Sequence, residues 1–127
     1  MGRPTVRLLL DSVILIDHFN GITAATSFLA EHSSESALSV ITRAEVLAGF
    51  DENSATLAVD LLNVFVTLPV TVETADAAAR LRRSQRWKLP DAIQAAIAIE
   101  HGLTLATRNT RDFQPGGQPG VIIPYTV

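Results

Sequence analysis

Four acidic side chains in this sequence stand beside apolar segments that predict buried strands or helices. They are Asp11, Glu45, Asp91 and Asp112. Asp11 directly follows the apolar run 6–10, and Asp112 follows a second apolar run at 103–107. Both runs are typical of buried strands in a parallel sheet, in which the carboxyl ends of the strands meet at one edge. If these strands are adjacent, all four carboxylates can reach the same place.

A cluster of carboxylates has a defined chemistry. Two unscreened carboxylates about 4 Å apart repel each other by about 4 kcal/mol at an effective dielectric constant of about 20, so the cluster needs a cation or protons. Oxygen ligands alone select hard cations such as Mg²⁺ and Mn²⁺. Such a cation supports in-line attack of water on a phosphodiester, with a second ion, if bound, about 3.5 to 4 Å away. The predicted chemistry is phosphodiester hydrolysis.

Each acid also has an ordinary structural interpretation. Asp11 could accept hydrogen bonds from the first amides of a helix that begins near Ser12, which is the role of an N-cap. Glu45 could form a surface ion pair, Asp91 could complement a helix dipole, and Asp112 could belong to a turn. Asp91 is flanked by Leu89, Pro90, Ala92 and Ile93, which is a poor setting for a solvated acid.

The elements that position these acids alternate along the chain. Strands are predicted at 6–10, 36–40, 103–107 and 120–124, the last after a flexible turn at 114–119, and a short edge-like piece at 67–70 contains Pro69. Helices are predicted at 12–19, at 23–32, from Ser39 or Thr42 to about Ala48, at 74–87, and from Leu89 to a stop at Gly102. A further helix is predicted after an N-cap at Asn53, and its apolar stripe consists of Leu57, Leu61, Leu62 and Phe65. This alternation predicts an α/β sandwich with a parallel sheet, in one domain over residues 1–127.

The bulk composition narrows the function classes. The 127 residues include no cysteine, which excludes disulfides, thiolate metal sites and a cysteine nucleophile. The net charge of −3 argues against binding nucleic acid by bulk electrostatics, although five basic residues fall within the segment 80–88. Residues 1–17 predict neither a secretory signal nor a membrane span, so we expect a soluble cytoplasmic protein without a membrane partner. The 47% hydrophobic content suggests that a partner covers some apolar surface.

Four segments of the chain resemble the successive signatures of the PIN-domain ribonucleases. They are Leu-Leu-Leu-Asp-Ser-Val-Ile-Leu-Ile-Asp at 8–17, Ile-Thr-Arg-Ala-Glu-Val-Leu-Ala-Gly at 41–49, Leu-Pro-Asp-Ala-Ile-Gln-Ala-Ala-Ile-Ala at 89–98, and Leu-Ala-Thr-Arg-Asn-Thr-Arg-Asp-Phe at 105–113. In particular the chain resembles the VapC-type toxins of bacterial type II toxin-antitoxin pairs. The likeness runs from about residue 7 to residue 113.

The resemblance implies a PIN-like three-layer α/β/α sandwich, with a central, mainly parallel sheet of four to five short strands. It also implies a catalytic metal site for Mg²⁺, with Mn²⁺ as a substitute. Asp11, Glu45 and Asp91 match three acids of this site, and Asp112 is favoured as the fourth acid. The residues that match the supporting positions are Ser12 and Thr107, which orient the metal ligands, and Asn109, a polar helper.

The resemblance further implies a homodimer, a small inhibitory antitoxin protein and structured RNA, commonly transfer RNA, as substrate. Arg82, Arg86, Lys88 and Arg108 are candidate phosphate contacts, or else form a solvated face. One position departs from the family pattern, because Val13 stands where relatives often have Asn, Ser or Thr. Two alternatives follow: a PIN-fold binding module with weak catalysis, and a metal nuclease that acts on ribosomal RNA or DNA.

Overall fold

The computed structural model describes residues 5–109, 111–113, 117 and 119–127, and within them the chain forms one five-stranded sheet. Its strands are β1 (Leu8–Leu10), β2 (Ser36–Ser39), β3 (Val66–Leu68), β4 (Thr104–Ala106) and β5 (Val121–Ile122). The spatial order is β3-β2-β1-β4-β5, and every neighbouring pair is parallel. Leu8 pairs with Ser36 on one side and with Thr104 on the other, so β1 is the central strand. The predicted parallel sheet is confirmed.

Six α-helices connect the strands in the described part of the chain. They are α1 (Ser12–Phe19), α2 (Thr23–His32), α3 (Val40–Leu47), α4 (Ala55–Leu62), α5 (Val72–Gln85) and α6 (Leu89–His101). None of the helices in these ranges is long and apolar enough to cross a membrane. The turn predicted at 114–119 lies mostly outside the described residues.

The sheet separates two hydrophobic cores, which gives the three layers. Because side chains alternate along a strand, Leu8 and Leu10 face one core and Leu9 faces the other. The first core packs these leucines against α1 to α4, and the second packs Leu9 against α5 and α6. The second core is rich in small side chains from α6, namely Ala92, Ala95, Ala96 and Ala98. The predicted α/β/α sandwich is confirmed.

Two helix starts differ from the prediction. The helix α4 has Ser54 rather than Asn53 at its N-cap position, because the Asp51 carboxylate accepts hydrogen bonds from the backbone amide and the hydroxyl of Ser54 at 2.8 Å each. The helix α5 begins near Thr71, whose hydroxyl accepts a hydrogen bond from the amide of Thr74. In both places a neighbouring polar side chain supplies the start signal.

The end of α5 also differs, since the helix stops at Gln85 rather than at Trp87. Arg86 adopts a left-handed conformation with φ of 60° and ends the helix. Trp87 is thereby free to turn inward, where it is 8% exposed and its ring lies 5.0 Å from that of Phe113. This turn brings the start of α6 beside the loop that follows β4.

Candidate active site

Asp11 lies at the carboxyl end of the central strand, at the N-cap position of α1. Its side chain makes no capping hydrogen bond, so the N-cap interpretation is wrong for the carboxylate. The carboxylate is held instead by Thr107, whose hydroxyl donates to Oδ2 at 2.6 Å, and more weakly by Ser12, whose hydroxyl donates to Oδ1 at 3.5 Å. The Thr107 hydroxyl also accepts the backbone N–H of Asn109 at 2.9 Å. Thr107 and Ser12 therefore contact the acid that they were predicted to orient.

The predicted acids converge on one cavity of about 330 Å³, which we call the acidic cavity. Its lining residues are Asp11, Ser12, Val13, Glu45, Pro90, Asp91, Gln94, Arg108 and Asn109. Glu45 reaches the cavity from the second turn of α3, and Asp91 reaches it from the first turn of α6. Three of the four predicted acids and two of the three predicted supporting residues thus line the same space. Thr107 is fully buried.

Asp112 lies next to this cavity rather than in its lining. It borders a neighbouring depression of about 360 Å³, which shares Asp91, Arg108 and Asn109 with the acidic cavity. Asn109 donates a side-chain hydrogen bond to the Asp112 carboxylate at 2.9 Å, and the backbone amide of Asp112 donates to the Asn109 side chain at 3.3 Å. The indole N–H of Trp87 fixes the backbone carbonyl of Asp112 at 2.9 Å.

The electrostatics of the acids reflect their crowding. Partial burial, followed by repulsion from Asp11, Asp112 and Glu45 and by a hydrogen bond with Asp112, raises the pKa of Asp91 to about 6. Partial desolvation, opposed by a hydrogen bond from the Ser12 hydroxyl and aided by the charge of Asp11, raises the pKa of Glu45. Both shifts penalise the ionised form, so the site gains stability from a proton or a cation.

The donor set fits a hard cation, because the acids around the cavity offer carboxylate oxygens that repel one another. Within residues 5–109, 111–113, 117 and 119–127, no three acidic or histidine side chains are grouped closely enough to hold one ion between them. Mg²⁺ usually takes only one or two carboxylates and retains several water molecules, so this spacing suits it. Asp11, Glu45 and Asp91 are the acids that line the cavity, so these residues would hold such an ion.

Comparison with known proteins places this fold and site in a family. The family model described as the PIN domain matches residues 8–114. The chain belongs to the PIN-domain family. Its relatives include ribonuclease VapC19 of Mycobacterium tuberculosis, which is 34% identical over 113 residues that cover 83% of this chain and 90% of that protein. Ribonuclease VapC10 of the same organism is 35% identical over 113 residues, which cover 84% of this chain and 85% of that protein.

A solved structure extends the comparison to three dimensions. A chain of a toxin-antitoxin complex from Klebsiella pneumoniae is 37% identical to this PIN domain and superposes on it with a TM-score of 0.86. The match covers 94% of this chain and 99% of that chain. The resemblance to PIN-domain, VapC-type proteins is confirmed.

One polar group that lines the cavity of this PIN domain was not predicted. Gln94 lies one turn after Asp91 on α6 and is 3% exposed. Its side-chain NH₂ donates to the Thr42 hydroxyl at 2.7 Å, and that hydroxyl donates to the carbonyl of Leu10 at 3.4 Å. The Gln94 carbonyl oxygen has no hydrogen-bond partner among the described residues. The available sequence signal was a polar residue within the apolar stretch 92–99 of α6.

A second unpredicted group ties the C-terminal segment of the PIN domain to α1. Asp17 is buried and accepts two hydrogen bonds from Arg108, from Nε at 2.8 Å and from Nη2 at 3.1 Å. The Tyr125 hydroxyl donates to the same carboxylate at 2.7 Å. Burial acts to raise the pKa of Asp17, but the hydrogen bonds from Arg108 and Tyr125 outweigh it and hold this pKa below its usual range. No local sequence pattern links these three residues.

Proposed function

We propose that this protein is a metal-dependent endoribonuclease toxin that hydrolyses phosphodiester bonds in structured RNA, with transfer RNA as the preferred class. The observation that carries the proposal is the convergence of Asp11, Glu45 and Asp91 on one cavity, where burial, together with repulsion from the neighbouring acids, raises the pKa of Asp91 to about 6. Carboxylates arranged in this way are suited to a divalent cation and, through it, to phosphate chemistry. The ribonuclease names of the VapC relatives support the choice of RNA.

The residues of the chain have separate tasks in this mechanism. A bound Mg²⁺ or Mn²⁺ supplies a Lewis acid for the phosphodiester and lowers the pKa of water. Thr107 and Ser12 hold the Asp11 carboxylate in one orientation, which reduces the cost of ordering it as a ligand. Asp91 lines the cavity with Asp11 and Glu45 and would serve as a metal ligand, because a nearby cation favours the ionised form that burial and repulsion otherwise disfavour. Asn109 fixes Asp112 beside it.

The test is a cleavage assay on total transfer RNA with the purified protein. We expect cleavage with Mg²⁺ or Mn²⁺, none with a chelator, and a loss of at least about 100-fold in Asp11→Asn and Asp91→Asn. Asp60→Asn is the matched control, because Asp60 is exposed on α4 and does not line the cavity. Equal cleavage in all samples would contradict the proposal. Parallel reactions with ribosomal RNA and with DNA separate the transfer RNA preference from the alternative substrates.

We also propose that a small antitoxin protein inhibits this chain in the cytoplasm and that the chain forms a homodimer. The likeness to a chain of a toxin-antitoxin complex supports the first partner. The helix α4, the edge strand β3 and the turn between them offer apolar surface for a partner, since Leu57 is 71%, Val66 54% and, in the turn, Val64 63% exposed. Light scattering on the purified chain, with Leu57→Glu as the disrupting variant, tests the dimer.

A second candidate function rests on Val13, which lines the acidic cavity with an aliphatic side chain. It offers no hydrogen bond to a ligand or to metal-bound water. In this alternative the chain is a PIN-fold binding module with weak catalysis, which acts through its protein or RNA contacts. Calorimetry without detectable Mn²⁺ binding, together with intact RNA binding, supports the module. A gain of activity in Val13→Asn supports a nuclease with reduced turnover.

A further inference from the structure

Arg108 stands at the border between the acidic cavity and the neighbouring depression. It follows Thr107 directly, and its side chain is 29% exposed. It lines both spaces, together with Asp91 and Asn109. On the far side of this border the depression carries two further exposed basic residues, Lys88 and Arg111. Three basic residues therefore line the same depression as the carboxylates of Asp91 and Asp112.

The guanidinium of Arg108 is held in one orientation. Asp17 binds two of its N–H groups at 2.8 and 3.1 Å, and this carboxylate is only 7% exposed. The hydroxyl of Tyr125 donates at 2.7 Å to Oδ2 of this carboxylate, the same oxygen that accepts the hydrogen bond from Nε of Arg108. A guanidinium carries five N–H donors, so the two bonds to Asp17 leave donors for another oxygen ligand. The fixed planar group is prepared to bind an anion at the cavity border.

An anionic RNA backbone needs such a contact, because the chain has a net charge of −3 and the cavity itself is lined by acids. A cation pinned beside the carboxylates offsets their repulsion for a phosphate. We propose that Arg108 binds an RNA phosphate adjacent to the cleavage site, and that Asp17 and Tyr125 are positioning residues that hold its guanidinium. This inference rests on the proposed ribonuclease function and adds the C-terminal segment to the substrate site.

The chain contains a matched control for this arrangement. Arg7 also makes two side-chain hydrogen bonds to one carboxylate, with Nε at 3.0 Å and Nη2 at 2.8 Å from the oxygens of Glu35. Arg7 precedes β1 and therefore lies at the amino ends of the strands, whereas the acids lie at the carboxyl ends. Substitution of Arg7 or Glu35 changes the net charge and removes an ion pair as at Arg108 and Asp17, but far from the proposed phosphate.

The experiment measures binding of fluorescein-labelled total transfer RNA to Asp91→Asn protein, which provides an uncleaved complex, over a range of salt concentrations. We expect Arg108→Gln to weaken binding roughly tenfold and to reduce the slope of log K against log salt by about 0.7 to 0.9. Arg7→Gln should change the affinity less than about twofold. Equal effects of the two substitutions on affinity and slope would overturn the phosphate contact.

The positioning role has its own readout. Asp17→Asn removes a negative charge, so general electrostatics predicts tighter RNA binding, whereas loss of positioning predicts weaker binding. We expect weaker binding in Asp17→Asn and in the charge-neutral Tyr125→Phe, and no weakening in Glu35→Gln. Tighter or unchanged binding in both Asp17→Asn and Tyr125→Phe would overturn the positioning role. Thermal melts set the assay temperature well below unfolding for every variant.

The outcome also separates this inference from the proposed function. Cleavage by the unmodified protein, with Arg108→Gln equal to Arg7→Gln in both KM and kcat, overturns only the inference. A rise in KM at nearly constant kcat for Arg108→Gln supports a substrate contact. If the unmodified protein neither binds nor cleaves transfer RNA, the proposed function and the inference fail together.

Discussion

The hydroxyl of Thr107 donates a 2.6 Å hydrogen bond to the carboxylate of Asp11, 96 positions away in the chain. The bond joins the ends of two adjacent parallel strands, because Leu10 and Ala106 are direct neighbours in the sheet. The sheet register therefore orients the carboxylate at the centre of the site. The orientation of Asp11 depends mainly on a neighbouring strand, since the helix that Asp11 precedes adds only the weak 3.5 Å hydrogen bond from Ser12.

Replacement of Thr107 by valine should remove the hydrogen bond that orients the Asp11 carboxylate. The side chain keeps its shape but loses the donor to Asp11 and the acceptor for the Asn109 amide. We expect a loss of about 10- to 100-fold in Mn²⁺ affinity or cleavage rate, the usual effect of removing a group that orients a metal ligand. Calorimetry and the transfer RNA assay measure both quantities. Thr107→Ser, which retains the hydroxyl, should stay close to the parent; an equally impaired serine variant would argue for a packing role.

The raised pKa of Asp91 predicts a pH-dependent stability of the metal-free protein. The folded state binds this proton more tightly than the unfolded state, with pKa values of about 6 and 3.8. Ionised Asp91 therefore destabilises the fold in full above pH 6, and this penalty declines as the pH falls from about 6 to 3.8, below which it is absent. We expect Asp91→Asn to be more stable than the parent by about 1 to 2 kcal/mol at pH 7.5, after allowance for solvent screening, and the gap to narrow by about half near pH 5.

Urea unfolding of the metal-free proteins at the two pH values measures this gap. Asp76→Asn provides the control, because Asp76 is exposed on α5. A gap that is absent at pH 7.5, or that widens toward pH 5, would show that the crowding around Asp91 is weaker than its surroundings imply.

Addition of a divalent cation should offset the repulsion between Asp91 and the neighbouring carboxylates. At a free Mn²⁺ concentration of 100 times its Kd, a ligand that binds only the folded state stabilises it by about 2.7 kcal/mol. For a chain of this size we expect a rise in Tm of roughly 10 °C. Asp11→Asn and Asp91→Asn should respond much less, while Asp60→Asn should respond like the parent. Thermal melts with Mn²⁺ and with chelator measure the effect, and equal shifts in all four proteins would indicate binding elsewhere.

Gln94 gives a prediction about stability without a change in charge. Its carbonyl oxygen lacks a partner within the described residues, and a buried acceptor of this kind costs about 1 to 3 kcal/mol. Gln94→Met removes that oxygen together with the hydrogen bond to Thr42, so we expect a change within about 1 kcal/mol or a small gain in stability. Thr42→Val instead leaves the Gln94 NH₂ without its acceptor and should cost about 1 to 3 kcal/mol. Chemical unfolding compares the two, and the reverse order would indicate that the oxygen is satisfied.

Residues that start or end helices determined which elements could be predicted from the sequence. The helices α1 and α2 have the predicted bounds, because Asn20-Gly21 ends one and the serines after His32 end the other. Four strands are shorter than the predicted segments that contain them, and β3 begins one residue before the predicted piece at 67–70, since pairing along the sheet, rather than hydrophobicity, sets the strand ends. Of the stripe predicted for α4, only Leu57 leaves the core, since it is 71% exposed, whereas Leu62 is fully buried and Phe65, beyond the end of the helix, is buried as well.

Some residues of the candidate site could be predicted from the sequence, and others could not. Asp11, Glu45 and Asp91 were predictable because each occupies a recognisable place relative to a strand or a helix start. The parallel pairing of the strands then brings these places to the same end of the sheet. The contact between Asp17 and Tyr125 joins residues 108 positions apart, and no periodicity in the sequence encodes it. The position of Asp112 in the neighbouring depression depends on the Trp87 side chain, which the left-handed Arg86 turns inward.

The alanines of α6 give the second core a consequence for catalysis. Ala92, Ala95, Ala96 and Ala98 are essentially inaccessible to solvent, so the helix lies on a thin layer of side chains above the sheet. The thickness of that layer acts as a spacer, because it sets how far Asp91 stands from Asp11. Larger side chains in this layer, such as valine at position 95, should lift the helix and widen the gap between the two acids while the fold survives. The volume of the second core thus also sets the distance between Asp11 and Asp91.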